Sequence, residues 1–139
     1  MLPIIFRAIQ DAIHVDKKTG TSVDYYIFDE YEIHVNQIRP HTVQEWHSHS
    51  RIIETVLVTK GRLLCRYLDG SGVTKDRHLG KNELVQVGGC VHTFENDTDE
   101  AAEFIVFRFV PDGADKRDMI KGDKKLFSFP ETEETVGAG

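Results

Sequence analysis

Residues 46–61 read Trp46-His47-Ser48-His49-Ser50-Arg51-Ile52-Ile53-Glu54-Thr55-Val56-Leu57-Val58-Thr59-Lys60-Gly61. From Ile52 to Thr59 the stretch is rich in β-branched residues and reads as a strand, stopped by Lys60-Gly61. Just before it stand two histidines separated by one residue. On extended backbone, residues i and i+2 point to the same face with Cα atoms roughly 6.5–7 Å apart, so two imidazoles so placed converge on one metal ion. Glu54 follows His49 by five residues and Gly61 follows Glu54 by seven. The His pair alone is a weak signal, and the carboxylate and glycine at these distances give it context.

The period-2 pattern recurs along the chain. Val23–Phe28, Ile33–Ile38, Leu63–Leu68, Val73–Leu79, Leu84–Val87, His92–Glu95 and Phe104–Val110 each read as short strands. Turn residues separate them, among them Asp69-Gly70-Ser71-Gly72, Gly80-Lys81-Asn82, Gly88-Gly89 and Asn96-Asp97. Many short strands with Gly-rich turns indicate an all-β sandwich or barrel. The ends differ. Ile5, Ala8, Ile9 and Ala12 share one face of a short helix expected over Ile4–Ala12. Lys116–Leu126 carries a weak helical pattern interrupted by Gly122, with Phe127 and Phe129 placed to dock it onto the barrel. The division expected is an N-terminal extension 1–22, a β-barrel domain 23–111 and a C-terminal segment 112–139 whose acidic tail, Glu131–Gly139, is mobile.

Composition narrows the function classes. The chain has 139 residues, the size of one domain. Its 17 Lys and Arg against 23 Asp and Glu give a net charge of −6, which argues against a nucleic-acid or anionic-membrane surface. The apolar run Leu2–Phe6 is stopped by Arg7 and is too short for an export signal or a membrane span. Cys65 and Cys90 are the only cysteines, read as free thiols of a cytoplasmic protein.

Downstream, Gly80 opens a strand, followed by Val87-Gly88-Gly89, His92 and Asn96. Three imidazoles and one carboxylate from separate strands suit a first-row transition metal: Fe, Mn, Ni, Co or Cu, with Zn possible. If six-coordinate, such a site leaves about two open positions, whereas a structural zinc site is closed and tetrahedral.

With these residues in view, the chain resembles the cupin superfamily, small jelly-roll barrels of two antiparallel sheets with two sequence motifs and a metal inside. The first motif runs from His47 through His49 and Glu54 to Gly61, and the second from Gly80 through Gly89 and His92 to Asn96. The resemblance covers roughly residues 30–111 and implies His47, His49, Glu54 and His92 as metal ligands. Three positions depart from the pattern: His41 stands for a glycine, Val87 for a proline, and one extra residue follows Gly80. The eighteen residues between Gly61 and Gly80 allow one hairpin and no inserted domain.

Other residues are read against this frame. His41 is either an auxiliary partner of the metal site or a surface histidine after Pro40. His14, His34 and His78 are read as structural or exposed, and Trp46 as facing away from the metal pair. Cys90 either approaches the cavity or is an inert thiol, and Asn96 is a turn residue closing its strand. Val56, Val58 and Phe94 are expected to line a mostly apolar cavity suited to a small organic molecule. For Phe104–Val110 either Ile105, Phe107 and Phe109 or Phe104, Val106 and Arg108 face inward. An inward Arg108 would bind a substrate carboxylate or phosphate. A buried carboxylate among neutral imidazoles is costly without a cation, which favours a filled site.

The expected function is a metal-dependent enzyme, dioxygenase-like or an isomerase or decarboxylase, acting on a small molecule inside the barrel. The alternative is a non-catalytic binding or sensing module. A metal-free epimerase would need an acid/base pair, for which Tyr67 is the only phenol nominated. The resemblance also implies a homodimer formed through edge strands or the N-terminal segment.

Overall fold

The computed structural model describes residues 2–130. Among these residues ten strands form two antiparallel sheets, in keeping with the alternating pattern. They are β1 (Ile13–Asp16), β2 (Thr21–Ile27), β3 (Tyr31–Ile38), β4 (Thr42–Val43), β5 (Ile53–Lys60), β6 (Leu63–Leu68), β7 (Thr74–Leu79), β8 (Leu84–Val87), β9 (His92–Asn96) and β10 (Ala102–Phe109). One sheet has the order β1-β2-β3-β10-β5-β8 and the other β4-β9-β6-β7. The chain passes repeatedly between the two sheets, the arrangement of a jelly roll.

Side-chain alternation decides what is inside. On β5, Glu54, Val56 and Val58 are buried while their neighbours are half-buried, and on β10 the buried set is Ala102, Phe104 and Val106. These meet Leu63, Cys65, Leu79 and Phe94 from the opposite side to form one core. The parity left open on β10 is settled: Phe104, Val106 and Arg108 face inward. Gly61 ends β5 at φ +77°, and a Cβ there would lie 3.2 Å from the backbone of Ala101 and Ala102. The turn into β6 therefore needs glycine on two counts.

Asn96 closes β9 from inside. Its amide donates to the carbonyls of Ile38 at 3.2 Å and Glu100 at 2.8 Å, and its oxygen accepts from Thr98. It joins two strands and a turn, so it is a buried structural residue.

The ends depart from expectation. The six-stranded sheet begins at Ile13, ten residues before Val23. The helix expected over Ile4–Ala12 is replaced by one 3₁₀ turn, Ile9–Asp11, with Leu2, Ile4, Ile5, Phe6 and Ile9 exposed. Among the described residues that face stays largely exposed, and so short a helix does not hold itself together in water. A single short helix, α1 (Arg117–Gly122), lies within the second segment, but Phe127 and Phe129 are about three-quarters exposed and touch each other rather than the barrel. The tail Glu131–Gly139 lies outside the described residues. Among those described, no helix is long and apolar enough to cross a membrane.

Candidate metal centre

The site begins with a slip in strand pairing. Thr42 pairs with Asn96 and Val43 with Glu95, and the Gln44 amide donates to the Phe94 carbonyl. Two positions further along β9, His92 is bridged not to Trp46 but to His47, through mutual backbone bonds of 2.9 and 2.8 Å. One extra residue has entered the edge, and such a bulge reverses side-chain parity. Thr42 and Gln44 face inward, so uninterrupted alternation would bring in Trp46. The bulge instead turns His47 and His49 inward and leaves Trp46 45 % exposed, as expected for that residue.

Four side chains meet there. One ligand atom from each of His47, His49, Glu54 and His92 lies within 4.8 Å of every other. The ring centroids of His47 and His92 are 4.5 Å apart, and His49 is 5.0 Å from His47 and 5.6 Å from His92. The Nδ1–H of His47 donates to the Glu45 carbonyl at 2.8 Å, and that of His92 to the Cys90 carbonyl at 2.9 Å. Two backbone carbonyls thus fix both tautomers with an Nε2 lone pair turned inward. The Nε2 atoms of His49 and His92 are buried without hydrogen-bond partners. His49 Nε2 is 3.2 Å from Glu54 Oε1 but out of line for a hydrogen bond. Orphaned buried nitrogens converging with a carboxylate oxygen are what a divalent transition metal fits.

Glu54 has a second partner. Arg108 donates from Nε to Glu54 Oε2 at 2.7 Å, and its Nη2 reaches the same oxygen. Burial pushes the Glu54 carboxyl up, but Arg108, then His49 and His47, outweigh it and hold the group below the usual carboxylate range. This corrects two readings. Arg108 faces inward but is committed to Glu54, so it is not simply a substrate clamp. The Glu54 charge also already has a cation, so the case for a metal rests on the orphaned nitrogens. Burial pushes His92 below the usual imidazole range, which keeps it neutral.

A cavity of about 60 Å³ lies behind the cluster. Val56, Phe94, Phe104 and Val106 form its apolar floor, and Val58 lies deeper in the sealed core rather than on its wall. Apart from Val23, the rest of the lining corrects the expectation of a mostly apolar cavity: Lys17, Tyr25, His34, Asn36, Gln44, His47, Glu54 and Arg108. Lys17, Gln44, His47 and Arg108 also line an open vestibule of about 620 Å³.

His34 is the residue sequence reasoning missed. It is buried, its Nε2 is 2.8 Å from Glu32 Oε1, and Tyr25 meets its ring edge-on at 4.4 Å. Its parity with Asn36 and Ile38 was the available signal. His41 is not part of the cavity. It is exposed, bonded to Asp99 at 2.6 Å, and adopts φ +52°, the left-handed conformation for which glycine is favoured at that position. Its ring is held at the surface by that turn. His14 and His78 pair with surface aspartates. Cys90 is exposed, and burial pushes the Cys65 thiol up to about 11.

The profile of the cupin domain matches residues 34–108, more than half of the chain. The chain belongs to the cupin family. Among curated proteins nothing matches it. Solved structures similar to this cupin include Peruvianin-I, a cysteine peptidase from Thevetia peruviana latex, at TM-score 0.65 and 16 % identity, covering 76 % of this chain and 71 % of that one. An oxalate oxidase aligns at TM-score 0.64 and 19 % identity, over 76 % of this cupin and 59 % of its own length. The Lactobacillus farciminis oxalate decarboxylase aligns at TM-score 0.68 and 16 % identity, over 82 % of this cupin and 35 % of its own length. At such identities the likeness concerns the fold.

Proposed function

We propose that this cupin holds one divalent transition metal ion (Fe, Mn, Ni, Co or Cu, with Zn also fitting) on His47, His49, Glu54 and His92. We further propose that it is a metal-dependent enzyme acting on a small oxygen-bearing organic molecule. The observation that carries this reading is the pair of buried, unpartnered Nε2 atoms of His49 and His92 facing the Glu54 carboxylate. When bound, such an ion supplies Lewis acidity and a template for substrate oxygens.

The chain's own groups do the rest. The Glu45 and Cys90 carbonyls hold two imidazoles in one tautomer, and Arg108 holds the Glu54 rotamer. Phe94, Phe104 and Val106 exclude water from the cavity floor, while Lys17 and Gln44 stand at its mouth. Dioxygenase-like oxidation, isomerisation and decarboxylation all suit this arrangement. Oxalate oxidase and oxalate decarboxylase, similar in fold, carry a small oxygen-rich acid in their names. Cysteine-peptidase chemistry has no support, because burial raises the Cys65 thiol and, among the described residues, His92 meets Cys90 only at its backbone carbonyl, with no histidine bonded to its thiol.

One observation favours a second reading, a non-catalytic small-ligand module. Arg108 neutralises Glu54, so the pocket is electrostatically complete without an ion. A panel of small hydroxy acids, dicarboxylates and phenols offered to the metal-loaded protein, with and without dioxygen, separates the two. Turnover of any member supports the enzyme; tight binding with every compound recovered unchanged selects the module.

A further inference from the structure

Within the cluster, His47, His92 and Glu54 have their polar atoms engaged, and His49 does not line the small cavity. His47 and His92 spend Nδ1 on backbone carbonyls and Nε2 on the cluster, and Glu54 is divided between Arg108 and His49. One imidazole in the same cavity is left over. His34 on β3 has a side chain only 4 % exposed and lines the cavity together with Glu54, His47 and Arg108. Glu32 accepts at Nε2, so that nitrogen carries the hydrogen and Nδ1 keeps the lone pair. Among the described residues no hydrogen bond occupies Nδ1, and it is not among the sealed, unpartnered atoms. The groups facing His34 are Glu32 on its own strand, Tyr25 on β2, Arg108 on β10, Glu54 on β5 and Lys17 at the cavity mouth.

We infer that His34 is the proton acceptor of this cavity, taking at Nδ1 the proton of a small oxygen acid (a hydroxy acid, enol or phenol) bound at the metal cluster. The inference rests on the metal-dependent reading above. In the step, the O–H bond of the acid breaks and its electron pair stays on oxygen. The proton forms an N–H bond at Nδ1, and Glu32 stabilises the imidazolium. Burial keeps His34 neutral in the free site, so the acceptor is vacant when the acid arrives. The oxyanion left beside Nδ1 then supplies the opposite charge.

The probe is acetohydroxamate, a small oxygen acid that loses its proton on chelating a metal. Calorimetry of cobalt-loaded protein in phosphate and in Tris, buffers of different protonation heat, reads the protons passed to buffer per probe bound. Wild type is expected to release close to none, and His34→Gln about one. Glu32→Gln, which keeps the imidazole and removes its partner, falls between and serves if His34→Gln does not fold. Wild-type protein that loads cobalt and releases about one proton overturns the inference alone. Wild-type protein that loads no cobalt overturns the metal reading, and this inference with it.

Discussion

Arg108 on β10 and Glu54 on β5 are opposite one another in the sheet, and the guanidinium Nε donates to Glu54 Oε2 at 2.7 Å. The pair sets the metal-free state of the site. Glu54 is 5 % exposed and would be an uncompensated buried charge without Arg108. Arg108→Ala should therefore cost the metal-free protein about 2–3 kcal/mol, less than a fully buried pair because Arg108 keeps a third of its side chain in solvent. Adding the metal should restore much of this loss. Urea unfolding with and without metal measures both, and a variant as stable as wild type under chelator would show the pair to be inert.

Asn96 closes the second motif as a structural residue. Asn96→Ala strips the Ile38 and Glu100 carbonyls of a donor inside the barrel, at about 2–4 kcal/mol. Urea unfolding should show the loss, while metal content per folded chain stays unchanged. Loss of metal from well-folded Asn96→Ala would mean that the residue belongs to the centre.

Acid should weaken the fold through His34. Burial sets its folded pKa below the ordinary value of about 6.5, so the unfolded chain binds more protons. Its contribution is then present above about pH 6.5 and is lost as pH falls through the folded pKa. Unfolding midpoints under chelator should fall between about pH 7.5 and 5.5, and His34→Gln should flatten that slope. Equal slopes in the two proteins would remove His34 as the cause.

Metal retention has its own pH dependence. Protons compete with the ion for three imidazoles, so affinity should fall between about pH 6 and 5. A competition titration against a chelator checks this. Equal affinity at about pH 5 and 7.5 would contradict histidine ligation.

The strands and three members of the four-residue cluster were legible because each is local. The alternation of β5, β6 and β8 can be read from a few residues, and His47, His49 and Glu54 sit within eight positions. What was not legible depends on pairing. The bulge that turns His47 inward exists only because β9 lies beside residues 42–47. The inward turn of Arg108 was one of two open parities, and the less expected one, until β5 and β10 were in register. His34 looked structural because its strand is remote in sequence from the motif, and only the β3–β10 pairing brings it to the cavity. The helix at Ile4–Ala12 failed for the converse reason: its apolar face had no partner to bury it.

The central claim is that His47, His49, Glu54 and His92 hold one metal ion. Elemental analysis of untagged protein, purified without chelator and reconstituted with each candidate ion, tests it beside His47→Ala/His49→Ala. His78→Ala, altering a surface histidine bound to Asp97, serves as the control. The account predicts about one equivalent of a transition metal in wild type and in His78→Ala, and almost none in the double variant. Equal metal in all three proteins, or none in wild type after reconstitution, would contradict it.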